Sequence, residues 1–169
     1  MLTIRDASER DIDLIRRLAG EAFPATYREL LTPGQLDYMM EWMYSEASLR
    51  RQLAEGHHYF IAETDGEPCG YLSVERQGPD LFHLQKIYVL PRYQGIGAGA
   101  ALFRHAVAYI RGVHPGRCLM ELNVNRQNRA LHFYEHMGMR RLREGDFPIG
   151  EGYYMNCLLY TSPSPRDTR

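Results

Sequence analysis

No run of about 18 apolar residues interrupts the 169-residue chain, so no membrane-spanning helix is expected. Cysteine is scarce. The three thiols, Cys69, Cys118 and Cys157, are odd in number and form no CxxC pair, which excludes a disulfide framework and a zinc site and leaves no metal expected. They read as structural thiols of a protein in a reducing compartment. Charge of one sign is missing too: 20 lysines and arginines face 21 aspartates and glutamates, so no overall field draws the chain to nucleic acid or to a membrane surface. The opening "MLTIRDASERDIDLI" is charged within its first six residues and lacks the apolar run of a signal peptide, and the expected location is cytoplasmic. A covalent nucleophile is also absent, since no G-x-S-x-G elbow occurs and no cysteine lies in a motif with a histidine base.

What is present patterns as one domain over residues 1–160. "LTIRDA" alternates like a short strand, and a Ser8/Asp11 capping pair opens a helix carrying Ile12, Ile15, Leu18 and Phe23 at helical spacing. Thr32 and Pro33 cap a further helical segment, rich in aromatics and methionine, that runs through "GQLDYMMEWMYSEASLRRQLAEG". Strands follow around the Asp65-Gly66 turn, and Gly78-Pro79-Asp80 leads to a third beginning near Leu81, which predicts an antiparallel meander. A helix from about Gly97 to Arg111, the strand "CLMELNV", a short helix ended by Gly138 and two last strands complete an α/β (α+β) pattern. The tail "TSPSPRDTR", residues 161–169, is polar and unpatterned, and is expected to be a disordered or non-native appendage outside the fold.

The most informative stretch is "LQKIYVLPRYQGIGAGAALFRHAV", where an apolar strand meets a helix through Gly95, Gly97 and Gly99. Such a junction lets backbone N–H groups and a helix N-terminus hold an anion. A nucleoside-triphosphate loop needs lysine after its last glycine, whereas Ala100 stands there. A dinucleotide fold fits Gly95, Gly97 and Ala100 loosely, but places its fingerprint in a first βαβ unit with more to follow, and this one lies past the chain's midpoint. A coenzyme A site is the third use of the same cradle.

"VLPRYQGIGAGAAL" closely resembles the acetyl-CoA signature of the GCN5-related N-acetyltransferase (GNAT) superfamily, whose Gln/Arg-x-x-Gly-x-Gly/Ala pattern is met by Gln94, Gly97 and Gly99. "NRQNRALHFYEHMGM" is similar to that family's next motif through Asn128, Ala130, Phe133, Tyr134 and Gly138. The element order matches over about residues 1–160, and the branches most alike are the polyamine and ribosomal-protein acetyltransferases. The resemblance implies a mixed central sheet of about six to seven strands with a β-α-β acyl-CoA core flanked by helices. It implies two parallel strands, ending near Leu90 and Val124, that splay to admit a pantetheine arm. Main-chain groups of Ile87, Val89 and Leu90 would meet that arm, amides of Gln94, Gly95, Ile96, Gly97, Ala98 and Gly99 would hold the pyrophosphate, and Asn128 and Tyr134 would touch the cofactor, acetyl-CoA.

The implied chemistry is acetyl transfer by direct attack of a primary amine in a ternary complex. Such an amine arrives protonated, so a base must act first. His83 is the first choice for that base and matches the position of a histidine in arylalkylamine-type relatives, with Glu75 and Glu121 on neighbouring strands behind it. Tyr134 matches the family's usual proton donor to the departing thiolate. For the acceptor, Tyr27, Tyr38 and Trp42 offer flat apolar walls and Glu41 and Asp146 attract cations, which suits a small cationic amine, polyamine-like or an aminoglycoside. A protein or peptide N-terminus is the alternative acceptor, and a catalytically silent acyl-CoA sensor is the alternative class. The last strands, around "GYYMNCLLY", could pair across a two-fold in a homodimer or lie within one chain's own sheet.

Overall fold

The computed structural model describes residues 1–125, 130–150 and 153–163, with side chains for 1–124 and 130–140. In chain order the elements are β1 (Leu2–Asp6), α1 (Ile12–Tyr27), α2 (Pro33–Tyr44), α3 (Glu46–Ala54), β2 (His58–Thr64), β3 (Glu67–Gly78), β4 (Leu81–Val89), α4 (Ala98–Val113), β5 (Leu119–Asn125), α5 (Ala130–His136), β6 (Arg140–Gly150) and β7 (Tyr153–Pro163). The helical segment expected in one piece after Thr32 is two helices. Thr32 and Gln35 close a reciprocal capping box at the start of α2. Twelve residues later Ser45 turns extended, with ψ 156°, and its side chain accepts the Ser48 N–H, so one serine ends α2 and caps α3.

The strands form one sheet in the order β1-β2-β3-β4-β5-β7-β6. β2, β3 and β4 are the expected meander, turned at Asp65 and Gly66, both at positive φ. Among the described residues only β4 and β5 pair in parallel. β7 runs to Pro163, three residues past the expected domain end at 160, because Thr161, Ser162 and Pro163 pair with the start of β5. It is held by β5 on one side and β6 on the other, so its edges are used within this chain and not across a two-fold.

Each face of the sheet buries its own core. Phe82, Leu84, Leu102, Phe103, Ala106, Leu122, Val124 and Tyr134 pack together on the α4 and α5 side. Ile15, Phe23, Met39, Tyr44, Leu49, Tyr59 and Tyr71 pack on the α1, α2 and α3 side. Cys69 and Cys118 are buried free thiols in the first of these cores.

β4 changes course where the two cores meet. Ser73 pairs with Lys86 but its neighbour Val74 pairs with Leu84, so Gln85 is an extra residue bulged out of the ladder. The bulge resets the alternation. Before it Phe82 and Leu84 face α4; after it Ile87 and Val89 do, and Lys86 turns to the opposite core with Tyr44 and Tyr59. The parallel ladder to β5 ends at the same point, with Leu84 opposite Leu122. Beyond it β4 stays with β3 as far as Val89, and β5 stays with β7 as far as Asn125. The two strands part there.

Candidate active site

The parting of β4 from β5 leaves a strip of backbone that the sheet does not use. Leu90 donates its N–H to Cys69 at 2.9 Å, which by antiparallel alternation points Tyr88 and Leu90 toward β3 and Ile87 and Val89 toward the opening. Ile87 and Val89 thus turn main-chain groups to the opening. Leu90 does not: its amide is taken by Cys69 and its side chain is buried in the α1 core.

At the end of this strip the chain makes a 3₁₀ turn over Pro91–Tyr93 and enters α4. Gly95 has φ 93° and Gly97 φ 84°, left-handed values that a side chain would resist. Gly99 has another task, since a Cβ there would lie 3.6 Å from the Phe133 ring and 3.8 Å from Val89, so its smallness seats α5 against the first turn of α4. The helix begins without a side-chain cap, unlike α2 and α3, so the amides of Ala98 and Gly99 keep free donors beside the loop of Gly95 and Ile96. That uncapped N-terminus, reached by a strand edge with spare main-chain groups, can take a phosphate, and it suits the pyrophosphate and amide-rich arm of coenzyme A. Gln94 departs from the expectation. Its amide already donates to Pro91, and its side chain donates to the Val89 carbonyl at 3.3 Å, so the cradle starts one residue later.

His83 lies on the far side of the bulge, where the ladder is still closed. It is only 7% exposed, and its Nδ1 is 3.4 Å from Glu121 on β5. In register it stands directly between Glu75 on β3 and Glu121 on β5. Burial lowers its pKa, and the Glu121 contact and then the two carboxylate charges partly restore it. A histidine in this state is neutral near pH 7 and ready to accept a proton.

Tyr134 on α5 is buried, and burial raises its hydroxyl pKa, helped by the nearby Tyr27, so it keeps its proton. Tyr27, expected as an open wall, is instead packed 4.7 Å from Phe23 and accepts the Tyr88 hydroxyl at 3.3 Å. It is part of the core on the α1 side and is not a free surface. Tyr38 is half-buried against the same core, whereas Glu41 and Trp42 are exposed on α2. Asn128 lies outside the described residues, and Asp146 is described as backbone alone, paired with Asn156.

Two features escape a linear reading. His57, before β2, contacts Glu75 at 3.2 Å. Lys86, the only lysine in the chain, is sealed under α2 and α3. Its Nζ donates to Gln52 Oε1 at 2.7 Å and to Tyr59 Oη at 2.5 Å, and lies 4.8 Å from the Tyr44 ring, and burial pulls its pKa down to about 7.

With this geometry in place the comparisons are specific. Residues 30–147 match the acetyltransferase (GNAT) domain family. An N-acetyltransferase of Mycobacterium tuberculosis is 29% identical over 142 residues, 83% of this chain and 90% of that protein. The N-alpha-acetyltransferase RimI of the same organism is 33% identical over 100 residues, 57% of this chain and 61% of that one. Among solved structures, the PaiA N-acetyltransferase of Thermoplasma acidophilum in complex with coenzyme A superposes with a TM-score of 0.78 at 19% identity, covering 96% of this chain and 98% of that one. The chain belongs to the GNAT family. It is an N-acetyltransferase by class, and acetyl-CoA is its acyl donor.

Proposed function

We propose that the acceptor is the primary amine of a small cationic molecule, polyamine-like or an aminoglycoside, with His83 as the base. The observation that carries this reading is the place of His83: buried, neutral and flanked by Glu75 and Glu121, one residue before the last β4–β5 pair. Two carboxylates beside one neutral imidazole attract an ammonium and, by stabilising the imidazolium, raise the base's affinity for the proton it takes.

Each remaining residue then has a role. The amides from Gly95 to Gly99 hold the pyrophosphate, and Ile87 and Val89 align the arm as a substitute strand. When bound, acetyl-CoA supplies an acetyl group on a thioester. His83 takes one proton from the ammonium, directly or through water, and Glu121 steadies the imidazolium. Tyr134 holds its hydroxyl proton for the leaving sulfur. No acyl-enzyme is needed.

The likeness to RimI supports a second acceptor, the N-terminal amine of a protein. Thiol release from acetyl-CoA, measured with spermidine, an aminoglycoside and N-terminal peptides, separates the two. Turnover with the small polycations at a kcat/KM well above that of the peptides supports the proposal, and the reverse order overturns it. Coenzyme A binding with no release for any amine would mark a sensor.

A further inference from the structure

The four titratable side chains at the closed end of the ladder form a row. His57 immediately precedes β2, Glu75 is on β3, His83 on β4 and Glu121 on β5, so imidazole and carboxylate alternate across three neighbouring strands and the residue that leads into the next. His57 Nε2 is 3.2 Å from Glu75 Oε2, and His83 Nδ1 is 3.4 Å from Glu121 Oε1. Glu75 and His83 are cross-strand partners, whose Cβ atoms in such pairs stand about 5 Å apart. The row is not a metal site: among the described residues no group of three or more His, Cys, Asp or Glu could hold an ion.

Glu75 is held more firmly than a surface carboxylate. Gln85, the bulged residue, donates to Glu75 Oε1 at 2.9 Å, Gln77 donates to the same oxygen at 3.2 Å, and His57 engages Oε2. Three neighbours therefore fix a carboxylate that is itself only partly exposed, and they fix it beside the base. His57 stays neutral in this arrangement. Its Nδ1 is buried with no partner among the described residues, so a proton there would be unsatisfied, and the neutral ring serves as an N–H donor from Nε2. Burial lowers the pKa of His57, the Lys86 and His83 charges act with it, and Glu75 and Glu55 oppose it without cancelling it. Those that reach His83 come from Glu121 and Glu75.

We infer that Glu75, pinned by His57 and by the bulged Gln85, is a second positioning carboxylate for acetyl transfer, stabilising from the β3 side the same imidazolium that Glu121 stabilises from the β5 side. The inference rests on His83 being the base. When His83 takes the amine's proton, the new cation then lies between two partly buried anions, Glu121 in contact with the ring and Glu75 opposite it in the ladder, both in place before charge develops. The bulge has a function in this account. It removes Gln85 from the ladder and turns its amide onto Glu75, while the same bulge releases β4 from β5.

The test reads His83 directly. Histidine labelled with 13C at Cε1 gives seven signals, and the one lost in His83→Gln identifies His83. In Glu75→Gln the His83 signal should titrate about 0.5 to 1 pH unit lower than in the wild type, because a carboxylate that favoured its charged form is gone. The acid limb of kcat/KM should move down by the same amount, and Glu75→Gln with Glu121→Gln should move both further than either alone. His57→Gln, which keeps an N–H donor, should shift them less than Glu75→Gln does. A structural role alone would lower activity at every pH without moving the limb. An unmoved His83 titration in Glu75→Gln overturns the inference while leaving the base in place. An acid limb that survives in His83→Gln overturns the base and the inference with it.

Discussion

β4 carries two buried bases three residues apart, and the chain treats them in opposite ways. Lys86 is sealed beneath α2 and α3 by Tyr44, Tyr59 and Gln52, with no carboxylate among its hydrogen-bond partners in the described residues. His83 stands between two carboxylates in the closed part of the ladder, one residue before its end. Burial lowers the proton affinity of both. What differs is what happens when a proton arrives: at Lys86 it makes a cation stabilised by hydroxyl, amide and aromatic faces alone, and at His83 it makes an imidazolium with two counter-ions. A base for catalysis must be able to hold a proton for a moment, and of these two sites it is the second that offers counter-ions for it. Lys86 belongs to the stability of the α2–α3 side.

The largest expected effect is on the chemistry. His83→Gln should lower kcat/KM by about 10² to 10⁴, the usual contribution of a positioned base, while thermal unfolding changes little. A loss of comparable size in Lys86→Met would break the comparison. Tyr134→Phe should lower kcat by about 10² with acetyl-CoA binding by calorimetry nearly unchanged, since the ring and its packing on Phe133 remain. Retained turnover would remove the hydroxyl from the reaction.

Stability separates the two bases by pH. Between pH 7 and the ordinary lysine range the unfolded chain binds a proton at residue 86 that the folded chain does not, so stability rises with pH there, by up to about 1.4 kcal/mol per unit. The same reasoning gives His83 and His57 a window below about pH 6.5, where stability falls as pH falls because the unfolded histidines take up protons first. In urea titrations Lys86→Met should flatten the rise above pH 7 by about 2 kcal/mol over two units and leave the lower window intact. The smallest effect is Tyr44→Phe. Its hydroxyl is 2.8 Å from that of Tyr71, both fully buried, so its loss should cost about 1 kcal/mol in the same titrations and leave kcat unchanged.

How much of this the sequence discloses follows from the range of each interaction. Capping at Thr32 and the left-handed glycines at 95 and 97 are local, and their residues announce them. The Ser45 break is local as well, but a serine within a helical pattern is only a weak signal, because its side chain competes for backbone only when the chain turns. The bulge leaves no mark, since "HLQKIYV" alternates acceptably in either register and the choice is made by β3 and by which core receives Lys86. His57 and Glu75 meet because α3 ends where β2 begins, and Glu121 reaches His83 across 38 residues, contacts that sheet order creates. The family motifs pointed to the glycine loop as a cofactor cradle, and the fold engages the Leu90 and Gln94 amides elsewhere, with Cys69 and Pro91.

The central claim is that, of the two buried bases on β4, His83 takes the amine's proton. The pH dependence of kcat/KM, measured side by side for wild type, His83→Gln and Lys86→Met with whichever amine of the panel turns over, tests it most directly. The account predicts an acid limb that disappears in His83→Gln and stays in place in Lys86→Met. A limb that survives the first substitution or vanishes with the second would contradict it.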